Sequence, residues 1–221
     1  MLRPLQFAWN DGLGAGTPGV EPYVPGNGTG SMIGDDTSPS YIEESIVHGG
    51  NQSMPYWYDN KKQGFSAYSE AKLTLTEPSD WTANGIQTLS LWFFGFPTNM
   101  PGQLYVKING FKVPHDGDAN NLMQAVWQPW NIDLASFDVN LQSVTTMAIG
   151  IEGSDAVGKL LFDDIRLYAY ERQLITPGDP GNAGLVTHYK LDQNAICACI
   201  RTAERFLAAV RPAARSRPAP V

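Results

Sequence analysis

Tyr68-Ser-Glu-Ala-Lys-Leu-Thr-Leu-Thr76 alternates without a break. Ala71, Leu73 and Leu75 fall on one side, and Glu70, Lys72 and Thr74 on the other. Strict period-two alternation is the signature of a strand buried on one face and wetted on the other. The same pattern recurs outward in both directions. Thr88–Phe94 sets Leu89, Leu91 and Phe93 against Ser90, Trp92 and Phe94, and Leu104–Asn109 sets Leu104, Val106 and Ile108 against Tyr105, Lys107 and Asn109. Gln128–Leu134, Thr146–Glu152 and Lys159–Tyr170 follow, and Tyr41–Val47 and Gln52–Tyr58 precede. Pro55 assigns Gln52–Tyr58 to an edge or a bulge, because proline has no ladder N–H. Eight short alternating segments predict an all-β fold, a two-sheet antiparallel β-sandwich of jelly-roll type. A single helical turn is expected at residues 120–125.

Composition agrees. The 221 residues include 22 Gly and 16 Pro, and hydrophobic residues make up 43%. Many turns and a sizeable core are both available. Residues 1–40, rich in Gly, Pro, Ser, Thr and Asp, read as an irregular N-terminal arm, and 41–172 as the sandwich. Thr176-Pro-Gly-Asp-Pro-Gly-Asn-Ala-Gly184 lies in a linker spanning 173–184. Leu185–Asp192 reads like the opening strand of another domain, but the tail then turns to Ala, Arg and Pro. Residues 196–221 hold five arginines against one glutamate, a net +4, which leaves −11 on the preceding residues within a total of −7. This break marks 185–221 as a truncated or aberrant tail, irregular or partly helical, with Ile200, Ala203, Leu207 and Val210 on one helical face.

An acidic chain argues against nucleic acid as a partner, because phosphate contacts need a basic footprint. No apolar run approaches a membrane span, and the residues after Met1 lack a signal-peptide pattern. Cys197 and Cys199 lie in the tail, so no disulfide framework is expected in the body. His48, His115 and His188 lack zinc spacing.

Gly-Asn-Gly-Thr-Gly-Ser (26–31), His-Gly-Gly-Asn-Gln-Ser-Met-Pro (48–55), Tyr-Asp-Asn (58–60) and Asp80-Trp81-Thr82 carry a resemblance, together with Trp127-Gln-Pro-Trp130 and Phe162-Asp-Asp-Ile-Arg-Leu-Tyr168. The region resembles the carbohydrate-binding, galactose-binding-like jelly-roll domains of bacterial extracellular multidomain proteins. Residues 184–192 look like the start of a concanavalin- or laminin-G-like domain. The resemblance implies a glycan ligand and an extracellular or cell-surface parent protein. It also implies a bracing calcium ion held by an Asp-Asp pair and an early Glu. Leu5-Gln6-Phe7-Ala8-Trp9 departs from the pattern by lacking that Glu.

The residues themselves nominate a site. Sugar C–H faces stack on rings, and hydroxyls need fixed donors and acceptors. In His48–Asn60, parity puts Tyr56 and Tyr58 with Met54 in the core and turns Trp57 and Asp59 outward. Trp92, Glu70, Tyr105 and Lys107 share outward parity on other strands. Trp57, Asp59, Glu70, Trp92, Tyr105 and Lys107 are therefore the candidate ligand contacts, and Trp81, Trp127 and Trp130 are assigned to the core. A glycosidase would need two facing carboxylates, for which Glu70 with Asp59 or Glu152 are the candidates. Asp163 and Asp164 are the candidate calcium ligands, with Glu43, Glu44, Asp35 and Asp36 as co-ligands. Asp163 shares the parity of Ile165 and Leu167, and an inward carboxylate needs a partner, be it a metal, an arginine or backbone amides. A calcium-braced spacer without a ligand is the remaining alternative.

Overall fold

The computed structural model describes residues 9–17, 20–35, 41–62 and 65–169. The linker and tail, with their cysteines, arginine run and expected helix, lie outside them. Two five-stranded antiparallel sheets pack face to face. The first contains β1 (Trp9–Asn10), β6 (Tyr68–Ser79), β11 (Val144–Glu152), β8 (Gln103–Ile108) and β9 (Phe111–Pro114), in that order. The second runs β10 (Trp127–Asp133), β7 (Thr88–Phe94), β12 (Val157–Tyr168), β5 (Met54–Asp59) and β4 (Met32–Ile33). A hairpin of β2 (Gly14–Thr17) and β3 (Val20–Pro25) stands apart. From β5 onward nearly every connection crosses between sheets, as a jelly roll requires.

The inward residues follow the alternation. Tyr56, Leu89, Leu91, Phe93, Val106, Ile149 and Leu160 are sealed in one core shared by both sheets. Tyr56 and Tyr58 are buried as parity required, and burial pushes both phenols upward in pKa. Trp81 and Trp130 are core residues too.

Three expectations are corrected. The N-terminal arm is not irregular over its described part: β1 joins the edge of β6, and β4 joins the edge of β5. Tyr41–Val47 is a loop, tied by the bridge from Glu43 to Ser53, by Ser53 Oγ donating to the Ile46 carbonyl and by the Asp35 amide donating to the Tyr41 carbonyl. Its alternation serves coverage, with Ile42 buried and the Glu43 carboxylate turned back to accept from the amides of Ser45 and Ile46. Phe111–Pro114 forms a strand, β9, that its exposed residues and proline concealed.

Among the described residues β1 covers only two positions, so most of the outer edge of β6 has no ladder partner there. The loop after β3 fills the gap. Asn27 Nδ2, Thr29 Oγ1 and Ser31 Oγ all donate to the carbonyl of Glu70, at 2.7, 3.1 and 2.6 Å. Behind them the buried Asp11 carboxylate accepts from the amides of Leu13, Gly14 and Ile33. Burial raises its pKa, and the three amides pull it back. Gly12 and Gly26 sit where a Cβ would meet backbone carbonyl oxygens or carbons within 2.9 Å, so the loop closes only around glycine.

Two predictions follow from this packing. Asp11→Ala leaves three buried amides unpaired and should cost about 1–3 kcal/mol, read as a lower urea midpoint at unchanged slope. The half-buried His115 ring packs edge-on against Phe93 and Trp130, at 5.3 and 5.0 Å between centroids. Burial holds its pKa below the usual 6.5, against the opposing charge of Asp116. The unfolded chain therefore binds the proton more readily, and stability falls as pH drops below the unfolded value. Melting curves between about pH 7.5 and pH 5.5 should show a smaller acid loss in His115→Phe than in the parent protein.

Candidate functional site

The predicted contacts divide between two outer faces. Glu70, Tyr105, Lys107 and Glu152 lie on the outside of the first sheet, and Trp57, Trp92 and Asp163 on the outside of the second. Asp59 closes β5, where its carboxylate accepts from the Lys61 amide at 3.0 Å and so caps a turn. Glu70 and Glu152 share a face.

The second sheet's outer face is covered. Gly34, Asp35, His48 and Gly49 each contact side chains on it. The Gly34 carbonyl accepts from Trp57 Nε1 at 3.0 Å, and Asp35 pairs with Lys159 at 3.1 Å. The His48 ring stacks on Trp92 with centroids 3.8 Å apart and planes at 19°. Trp127 meets His48 edge-on at 5.7 Å, so it belongs to this outer cluster and not to the core. Trp57 remains 36% exposed, with Lys159 Nζ 4.9 Å from its ring centre. Trp57 and Trp92 lie on strands separated by β12, four residues apart in register, and do not make one platform.

Asp163 and Asp164 bind this covering loop. Asp163 Oδ2 accepts from the amides of His48 and Gly49 at 2.9 and 3.0 Å. Asp164 lies 2.8 Å from His48 Nδ1 and 2.5 Å from Arg166. Parity placed Asp163 inward, but it pairs with Trp92 and faces out. A bulge between Asp163 and Arg166, with Asp164 at φ 47°, inserts a residue and reverses the phase before Ile165 and Leu167. A hard cation wants six or more oxygen ligands. The donors around this pair are amides, an imidazole and a guanidinium, and no three metal-ligating side chains converge among the described residues. That donor set fits a loop anchor and not a calcium site. Glu43 and Asp35 are likewise engaged elsewhere.

Among the described residues nothing covers the first sheet's outer face, and its centre is hollow. β11 runs down the middle, presenting Thr146, Ala148, Gly150 and Glu152 outward. Ladder register fixes the rows across it. Lys72, Ala148 and Lys107 form one row, Glu70, Gly150 and Tyr105 the next, and Tyr68, Glu152 and Gln103 the third. Small residues on the central strand between long ones on its neighbours leave a trough of about 370 Å³, lined by Glu70, Lys72, Lys107, Asn109, Gly110, Thr146 and Ala148. That volume suits a small ligand or one stretch of a polymer.

The walls are held by their own bonds. Glu70 Oε2 accepts from Lys107 Nζ at 2.5 Å and from the Tyr105 hydroxyl at 2.9 Å. Burial and the Glu70 charge raise the Tyr105 phenol far above its usual pKa, so it stays a donor. Lys107 Nζ also stands 5.7 Å over the Tyr68 ring and 5.3 Å over the Tyr105 ring, within cation–π range. Tyr105 is buried although it faces out, because it lies flat across Gly150, where a Cβ would come within 2.3 Å of the ring. Tyr68, 39% exposed and one row beyond Glu70 on the same face, is an available stacking surface. Sequence reasoning nominated Glu70, Tyr105 and Lys107 but not Tyr68, Asn109, Thr146 or Ala148. The readable signal was the run of small outward residues, Thr, Ala and Gly, in Thr146–Glu152.

No protein-family profile and no curated protein matches the sequence. Among solved structures, a family 30 carbohydrate-binding module is similar at 14% identity, over 66% of this chain and 82% of that one, with a TM-score of 0.44. A family 11 carbohydrate-binding module from Clostridium thermocellum, in complex with a β-1,3-1,4-mixed-linked tetrasaccharide, is similar at 13% identity, over 75% of this chain and 98% of that one, with a TM-score of 0.41. An exo-β-agarase is similar at 13% identity over 82% of this chain but only 29% of its own, with a TM-score of 0.46. At such identities none of these bears on the ligand.

A further test concerns the trough wall. Gly150→Val must displace the Tyr105 ring and break its bond to Glu70. Overpacking of this kind should cost about 1–3 kcal/mol in chemical denaturation and detach Tyr105 from Glu70, whereas Gly110→Ala, with open space around its Cβ, should cost only about 1–2 kcal/mol, from its positive φ, and leave that bond intact.

Proposed function

We propose that this domain binds a glycan along the β11 trough, as a non-catalytic carbohydrate-binding module of an extracellular protein. The observation that carries the reading is the outer face of β11, where a floor of Thr146 and Ala148 is walled by Lys72, Glu70, Lys107 and Asn109, with the exposed Tyr68 one row beyond Glu70 on the same face. Such a trough supplies what a sugar chain needs. Ammonium, carboxylate and hydroxyl groups meet ring hydroxyls, and a tyrosine ring offers a face for C–H stacking. Glu70 and Lys107 hold each other in place, so little side-chain freedom is lost on binding. Trp57 and Trp92, which the sequence put at the centre, are on the covered face and are not used.

Hydrolysis is the second reading, favoured by one feature: Glu70 and Glu152 share the open face, two residues apart in register. Each is already paired with a lysine, Glu70 with Lys107 at 2.5 Å and Glu152 with Lys112 at 2.6 Å. Both carboxylates are thereby committed to ion pairs on this face, and neither stands free toward a bound sugar.

Affinity electrophoresis against a panel of polysaccharides tests the proposal. The parent protein should be retarded by at least one glycan. Tyr68→Ala should weaken binding about tenfold by removing the stacking ring, and Thr146→Trp should abolish it by filling the floor, while Trp57→Ala leaves it unchanged. Loss of binding in Trp57→Ala with none in Tyr68→Ala would move the site to the other sheet. Reducing-sugar release that vanishes in Glu70→Gln would establish the hydrolytic reading.

A further inference from the structure

Lys72 and Lys107 stand opposite each other across Ala148, one on each neighbouring strand. Two interstrand spacings separate their backbones by roughly 10 Å. Both side chains rise from the same face over a residue whose side chain is one methyl group. Lys107 is compensated by Glu70, and Lys112 beside it by Glu152. Lys61 pairs with Asp155, Lys159 with Asp35, and Lys62 lies over the Phe65 ring. Lys72 alone among the described lysines has neither a carboxylate nor a ring partner. It is exposed, and it lines the trough. The lining thus carries two ammonium groups and one carboxylate, although the whole chain is acidic at −7. A local cationic spot on an acidic protein is not accounted for by solubility.

We infer that the trough selects a glycan bearing an anionic substituent, a uronate carboxylate or a sulfate ester, held at the row of Lys72, Ala148 and Lys107. This rests on the glycan-binding reading above and adds the ligand's charge to it. The anion sits over Ala148, where no side chain competes for the space. Lys72 makes the direct ion pair, and Lys107 contributes a remaining ammonium donor while its partner Glu70 stays on the far side of the row. Thr146 at the adjacent end supplies a neutral hydrogen bond to a flanking hydroxyl. A neutral sugar chain would leave Lys72 uncompensated, and an anionic one pairs it.

The test is affinity electrophoresis of the full chain on matched pairs: polygalacturonate against its methyl ester, and a sulfated galactan against its desulfated form. Preference for the charged member of one pair distinguishes carboxylate from sulfate. Lys72→Met should cut affinity for that member about fivefold and leave any binding of the neutral member intact, while Lys72→Arg retains it. The preference should shrink in about 0.5 M salt, where exposed charges are screened. Equal affinity for both members of each pair overturns the inference and leaves glycan binding standing. A charge preference unchanged in Lys72→Met also overturns it, assigning the polyanion to another cationic segment such as the five arginines of residues 196–221. No retardation by any of the four, with none on neutral glycans, removes the glycan-binding reading itself.

Discussion

The pleat of β11 is the constraint on which the rest depends. Successive side chains of a strand leave on opposite faces, so one sequence must serve two surfaces. Inward, Met147, Ile149 and Ile151 lie at the centre of the first sheet and complete the shared core. Outward, Thr146, Ala148 and Gly150 are too small to fill the space between β6 and β8. The trough is the counterpart of a well-packed interior on the same strand. Gly150 adds a second consequence, because only a residue without Cβ lets Tyr105 lie down and reach Glu70. The wall carboxylate is oriented by that glycine as much as by its own partners.

The opposite sheet shows how an aromatic face is withdrawn from solvent. Trp92, Trp127, Phe94 and Trp57 would make an apolar patch of the kind that usually marks an interaction surface. The chain covers much of it with its own loop, using one imidazole as the lid over Trp92. The loop has little core of its own, so polar anchors hold it, namely Asp163 on two amides and Asp164 on the imidazole. The Asp-Asp pair thus joins a segment near residue 48 to the last strand through hydrogen-bond donors of the chain.

Most of the fold was readable because burial on one face imposes a two-residue period that no other element shares. The segments Thr88–Phe94, Leu104–Asn109 and Thr146–Glu152 match strands to within about a residue or two. What misled were stretches where alternation and pairing part company. Tyr41–Val47 alternates yet forms a strap, because its apolar residues cover a sheet from outside. Phe111–Pro114 pairs yet scarcely alternates, because an edge strand is exposed on both sides. The phase of Asp163 was lost at a single bulge, since one inserted residue flips every side chain after it.

The site was half readable. Parity correctly turned Glu70, Tyr105, Lys107, Trp57 and Trp92 outward, because facing is a local property of the strand. Parity does not say which sheet a strand joins, and that separated the two tryptophans from the three polar residues. The sequence by itself determined the alternation, the core-facing residues and the outward set. Only the tertiary structure decided which outward residues are neighbours, because rows across a sheet join residues about 40 and 80 positions apart, as Lys72, Lys107 and Ala148 do. It also decided which face stays open, since the loop that covers the tryptophans is placed by long-range bonds that no local period encodes.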